Sequence, residues 1–346
     1  MNIAQPQIPA TPSPVQQPAP RLEAELNLQR KAALVAGGAV DHAGRVRVVP
    51  MESFDMGRTI FGGLQGTVER AVMQDKLAKE PFWSDAAVSA IEMAYSDAEA
   101  NAPTPSVDPD LIAFMENECD FSMEHADGTF LEHLVFCHDY AARYYSDCSP
   151  NVALLHSILG TGTNTFAMGI EKLPMLRERL TDFEVQQIEA FPSLVRLFYD
   201  RALLAELTAN LHRLDKLEAL HCHRVIDNEP IVMDAENLWI QLNYHLMHFV
   251  DFMPSANWGA RRNDPLLMQF QELSTFLDRA GQRRAKVDVA FPADSTPAVG
   301  EHISLVGRIA SALPVSLTQM LAQKTIRAYS SEIGHSLDYR LVWGSA

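Results

Sequence analysis

Nine of the twelve histidines fall between residues 125 and 248, where an even spread would place about four. Imidazole ligates borderline transition metals and moves protons near neutral pH, so this clustering is the feature of the sequence that could do chemistry. His133 opens the richest stretch. Thr129-Phe130-Leu131-Glu132 reads as a capping box, in which the threonine accepts from the backbone amide of Glu132 and the glutamate reaches back. The helix expected over Phe130–Tyr145 is apolar on most faces and carries His133, Cys137, Tyr140 and Tyr144 on one stripe. Ser149-Pro150 then starts a second helix, Asn151–Leu159, which is apolar almost throughout and stops at Gly160, with His156 and Ser157 near its end. Asp234 caps a third helix, Ala235–Met253, ended by Pro254. On a wheel, Asn243 falls within its buried arc and His245 at the edge, while Tyr244, His248 and Asp251 lie on the opposite, polar side.

The order of these pieces carries a resemblance. A helix with an inward histidine is followed some twenty residues later by Leu154-Leu155-His156-Ser157-Ile158-Leu159-Gly160. This is similar to the HD superfamily, whose second motif is Leu-Leu-His-Asp, a hydrophobic residue and glycine. The superfamily includes metal-dependent phosphohydrolases and iron oxygenases similar to myo-inositol oxygenase. The resemblance implies that His133 is the first-helix metal ligand, that His156 is the histidine of the doublet, and that Asn243 takes the place of the late aspartate. The doublet's aspartate is Ser157 here. Carboxylates hold hard divalent cations and bridge paired metals, so losing both aspartates puts a standard two-metal phosphohydrolase site in doubt. His138-Asp139 does not replace the doublet, because it lies five residues past His133, about 140° round the helix.

Other histidines could join the set. His125, just before the capping box, could supply a third imidazole, against the plainer reading of a loop or cap residue. His221 and His223 read as a solvated loop pair, and His138, His212, His245 and His248 as structural residues. Gly160–Phe166, rich in threonine, either lines a polar pocket through residues such as Thr161 or simply connects. Arg261-Arg262, after Trp258, reads as a surface pair that could otherwise clamp an anion. The site expected from the sequence therefore has His133, His156 and His125 on a divalent metal, with iron a candidate, and Ser157, Asn243 and Thr161 around it. The expected function is a metal-dependent enzyme acting on a small polar metabolite, by hydrolysis or iron-dependent oxygenation. The alternative is a degenerate HD-like protein that binds a ligand or partner without turnover.

Those residues need a scaffold, and the composition provides one. The 346-residue chain is 47% hydrophobic, enough for a sizeable core. The pattern predicts a mainly α protein: an HD-like helical bundle over 121–285, preceded by a looser helical region over 21–120 and followed by a small α/β appendage over 286–346. In that appendage Val287, Val289 and Phe291 alternate, as do Leu337, Tyr339 and Leu341, which suggests two strands that pair with one another around a helix over Ile309–Tyr329. In the first region, Ser84–Ala98 and Thr67–Lys79 read as helices, Val46–Val49 as a β-prone run, Asn101–Asp110 as a proline-rich connector and Gly62–Gly66 as a turn. A net charge of −16 offers no cationic surface for nucleic acid. No uncharged apolar run approaches the ~20 residues of a membrane helix. Four cysteines without CxxC spacing, and a first stretch without the makings of a signal peptide, fit a reducing cytoplasm. The expected partner is a small molecule.

Residues 1–20 hold six prolines and no charged group, too little to bury against the entropy cost of ordering, and read as a disordered tail. Limited proteolysis is expected to trim this tail without changing thermal stability; a resistant, packed N-terminus overturns the reading.

Overall fold

The computed structural model describes residues 31, 34, 85–121, 124–125, 128–145, 148–162, 164–252, 265–287 and 312–345. The expectations for residues 1–20, Val46–Val49, Gly62–Gly66, Thr67–Lys79, the side chain of Asp251, Trp258, Arg261-Arg262, Val289 and Phe291 lie outside what it describes. The described residues are mainly helical. In chain order they form α1 (Asp85–Asn101), α2 (Pro109–Glu118), the two-residue strands β1 (Glu124–His125) and β2 (Gly128–Thr129), α3 (Phe130–Tyr144), α4 (Pro150–Leu155), α5 (Leu173–Arg177), α6 (Asp182–Asp200), α7 (Ala202–Ala209), β3 (Leu217–His223), β4 (Pro230–Asp234), α8 (Ala235–Phe252), α9 (Pro265–Ala280), α10 (Val315–Glu332) and β5 (Arg340–Trp343).

Local chemistry explains several boundaries. Ser149 caps α4, its hydroxyl accepting from the amide of Asn151, and Pro150 occupies the first turn, where its missing N–H costs nothing. The helix proper stops at Leu155; His156 is its C-cap, and the turn that follows ends at Gly160, whose φ of 130° is open to glycine alone. A complete capping box, Thr181 with Glu184, starts α6. Asp234 accepts from the amide of Asn237 at the head of α8.

Helix α8 is the hub. It packs against α3, α6, α9 and β3, so it has no broad solvent face. Gln241, Leu242, Asn243, Tyr244, His245 and Leu246 are all essentially buried, and His248 is half-buried. This corrects the single buried arc expected from the wheel: Tyr244 and His248 do not form a polar side. Tyr244 instead donates to the carbonyl of Ser149, tying α8 to the start of α4. The α2 helix overlaps the end of the stretch read as a connector, and α6, buried along much of its length, carries Pro192 in its interior.

The sheet also differs from expectation. Its order is β4-β3-β5, all antiparallel. Thus β5 forms where Leu337–Leu341 suggested a strand, but its partner is β3 rather than the run at Val287. Neither β3 nor β4 was expected. Across β3 a register irregularity between Leu217 and Ala219 breaks the alternation that marks a strand. The C-terminal segment is therefore woven into the body, with α10 packed on α6 and β5 completing the sheet.

Asn243 shows how firmly α8 holds its surroundings. Its amide donates to the carbonyls of Trp239 and Gln282 and accepts from the amides of Arg284 and Ala285. All four hydrogen-bonding positions of the side chain are used, three of them on the segment after α9. Asn243→Ala leaves buried backbone groups unpaired and is expected to lower stability by at least about 1–3 kcal/mol, measured by chemical denaturation. A variant as stable as the parent would show that this segment is held some other way.

Candidate functional site

His133 sits in the first turns of α3 and is 1% exposed; His156 caps α4 and is fully buried. Their Nε2 atoms lie 3.3 Å apart, with the ring centroids separated by 5.2 Å and the planes at 80°. His156 Nδ1 is 2.6 Å from the carbonyl of Ala153. A carbonyl can only accept, so Nδ1 carries the proton and the Nε2 lone pair points at His133. One turn along α3 from His133, Cys137 places its Sγ 3.9 Å from both nitrogens of the His133 ring. One ligating atom from each of His133, Cys137 and His156 lies within 4.8 Å of the others, and all three residues are buried.

A third imidazole completes the cluster. The His248 ring, from α8, stands edge-on to both others, 5.3 Å from His133 at 79° and 4.6 Å from His156 at 70°. Rings from three helices thus meet edge to face, although the ligating atoms within 4.8 Å of one another belong to His133, Cys137 and His156. Phe191 of α6 floors the group, 4.6 Å from His156 and 5.4 Å from His248, and Phe130 stacks 6.3 Å from His133. The His245 ring lies 3.9 Å from that of Phe191 and also meets Phe198 edge-on at 5.0 Å.

Burial keeps His156 and His245 neutral. Burial, and then the neighbouring His133, pushes His156 down to about 3. His245 is lowered well below the usual histidine range by burial, with His156 adding to it. Neutral imidazole is the form that binds metal.

The geometry fits one metal ion. Tetrahedral ligation with nitrogen bonds near 2.1 Å sets ligand nitrogens about 3.4 Å apart and the centroids of ligating imidazoles about 5 Å apart. The observed 3.3 Å and 4.6–5.3 Å match those spacings. Cys137 sits slightly long for a thiolate ligand and needs only a small approach. Two or three imidazoles with a thiol suit zinc or iron better than magnesium or calcium, which take oxygen ligands.

The remaining residues expected at the site are placed as follows. His125 has its backbone in β1, and its side chain lies outside the described residues. Ser157 is buried in the turn after His156. Thr161 is committed elsewhere: its hydroxyl accepts from the amide of Thr165, and its carbonyl accepts from the fully buried Arg196. Arg196 also reaches Asn164 and Ser330, so the Gly160–Phe166 turn is stapled to α6 and α10 rather than closing over the imidazoles. Asn243 does not join them either. It lies about 200° round α8 from Gln241, away from the stripe Gln241-His245-His248, and its amide is fully used by residues 239 and 282–285. His138 pairs with Asp139 at 3.1 Å. His221 and His223 stand on β3 rather than in a loop, next to Arg340 and the carbonyl of Asp338.

Cys137 and His248 are the neighbours that the expected site lacked. Cys137 stands on the His133 stripe in the sequence without having been counted as a ligand, and His248 lies on one helix face with His245, three residues before it. Comparison of the chain with protein-family models, with curated proteins and with solved structures finds no match.

The lowered histidines have a consequence for stability. Each is neutral in the fold but takes up a proton at its ordinary value of 6.5 once unfolded. The stability they contribute is therefore whole above pH 6.5 and lost as the pH falls toward about 3 for His156 and about 4 for His335, which is buried beside the carbonyl of His223 and lowered by that burial. Each such group tilts stability by up to about 1.4 kcal/mol per pH unit in that window. Metal-free protein is expected to destabilise steeply between these limits in pH-dependent denaturation, and His156→Phe to flatten the slope by about one proton; an unchanged slope in the variant overturns this assignment.

Proposed function

We propose that this chain is a divergent HD-like, metal-dependent enzyme that holds one divalent transition metal on His133, His156 and His248 and acts on a small polar metabolite. The observation that carries the reading is the approach of His133 and His156, nitrogen to nitrogen at 3.3 Å, with the thiol of Cys137 beside them and the His248 ring edge-on to both. Cys137 supports it as a fourth donor or as a near neighbour that tunes the set. The family-like order, a histidine on one apolar helix and a second at the end of the next, supports the HD comparison.

In this reading the protein contributes fixed roles. The Ala153 carbonyl holds the His156 proton on Nδ1 and aims Nε2 inward. Phe130 and Phe191 wall the rings from water. A bound metal of this kind supplies Lewis acidity and an acidified water, or dioxygen chemistry if it is iron. Among the described residues, the metal-suited cluster contains no carboxylate, which favours a single borderline metal over the carboxylate-bridged pair of a two-metal phosphohydrolase. That leans the reaction toward iron-dependent oxygenation. The burial of His133 and His156 favours a second reading, a closed HD-like centre that binds a ligand without turnover.

Protein expressed with iron or zinc supplementation is expected to purify with about one equivalent of metal, with His156→Ala and His248→Ala each weakening its retention by more than about tenfold. Elemental analysis decides this. A chain that stays metal-free under every loading condition overturns the proposal, while a metal-replete protein that neither consumes dioxygen nor cleaves phosphoesters supports the second reading.

A further inference from the structure

Beside the imidazole cluster runs a row of buried polar atoms that the metal reading leaves unused. On α8, Gln241 and His245 share a face with His248, at i, i+4 and i+7. On the facing α6, Gln187 and Phe191 are also four residues apart. Gln187, Gln241 and His245 are all fully buried. Gln187 donates to the carbonyl of Asn237, so its amide meets the α8 backbone one turn before Gln241. Its Oε1, both polar atoms of Gln241 and both ring nitrogens of His245 have no hydrogen-bond partner among the described residues.

Leaving a buried donor or acceptor unpaired is costly, so several in one row mark a place where something binds. Their types are complementary: amide oxygens accept, the amide nitrogen donates, and a neutral imidazole does one of each. None carries charge. The buried acidic residues of α6 are committed elsewhere, Glu184 to Ser149, Asn151 and Thr181, Glu189 to Arg177 and Arg224, and Asp200 to Arg327, while Asp182 is exposed. An anion in this row would lose its hydration without meeting a cation.

We propose that Gln187, Gln241 and His245 form an uncharged hydrogen-bonding arm of the site, which takes a ligand group with both donor and acceptor, such as a carboxamide, and rejects carboxylate and phosphate. This rests on the metal-centre reading and names its substrate class. Phe191 is in ring contact with both His245 and His156, and His248 lies on the arm's own helix face.

The test uses full-length protein loaded with cobalt(II), whose visible absorption reports on the metal, with thermal midpoint measured in parallel on loaded and metal-free protein. Acetamide, acetate and inorganic phosphate are the probes. Acetamide is expected to raise the midpoint and perturb the cobalt absorption, whereas acetate and phosphate leave both unchanged. Gln241→Leu and His245→Phe are expected to retain cobalt, to melt no lower than the parent, and to weaken the acetamide response by about tenfold or more. Acetate or phosphate acting as strongly as acetamide overturns the proposal, as does either variant responding like the parent. So does a fall in midpoint in both variants without probe, because the polar atoms would then have partners inside the fold. Full cobalt uptake with no acetamide response sinks the arm alone. An acetamide shift in a protein that takes up no cobalt, lost in Gln241→Leu, upholds the arm and sinks the metal centre.

Discussion

Burying an imidazole is tolerable only while it stays neutral, and this molecule buries several against one another. His133 and His156 meet nitrogen to nitrogen at 3.3 Å, a distance at which two protonated rings would repel strongly in a medium that screens little. One lone pair must therefore face inward, and the carbonyl of Ala153 fixes which. The rest of the architecture follows from keeping that arrangement dry and aligned. The helices that present the rings are apolar nearly all round, and the aromatic side chains of Phe130, Phe191 and Phe198 fill the space between them.

Precision at the centre depends on ties made some distance from it. Tyr244 reaches across to the carbonyl of Ser149 and so couples the rotation of α8 to the start of α4, which carries His156 at its other end. Asn243, on the opposite face of α8 from Gln241, holds the segment after α9. Arg196 pins the turn that follows His156 to α6 and α10, using neutral acceptors only, and burial lowers its guanidinium to about 10. These contacts leave α8 little freedom to rotate, which matters because His248 and Gln241 are positioned by that rotation alone.

Much of this was legible in the sequence, and the gaps have physical causes. His133 and His156 stood out because apolar residues surround them at every helical offset, so burial could be read without knowing the partner. His248 was misplaced because a wheel assumes one dry face, whereas α8 is enclosed by α3, α6, α9 and β3. Asn243 was rightly seen as buried, but its acceptors and donors lie up to 42 positions away in an irregular segment that no periodicity announces. Strand β3 escaped notice because the irregularity at Leu217 and Ala219 breaks its period. The orphaned atoms of Gln241 and His245 could not be foreseen either, since the absence of a partner is a property of the packed neighbourhood and not of the residue type.

The sheet has a further consequence, for the order in which the molecule assembles. One edge of β3 is closed by β4 through a short local hairpin, but the other waits for a strand far along the chain, with Arg340 lying 119 positions beyond His221. Closing so long a loop is entropically slow, and during synthesis the hairpin is complete well before its last strand emerges. In that interval β3 offers an open edge of unpaired amides and carbonyls to any extended segment nearby. A nascent chain stalled at this stage is thus poised to exchange its final strand with a second copy, and prompt arrival of residues 340–343 is what keeps assembly within one molecule.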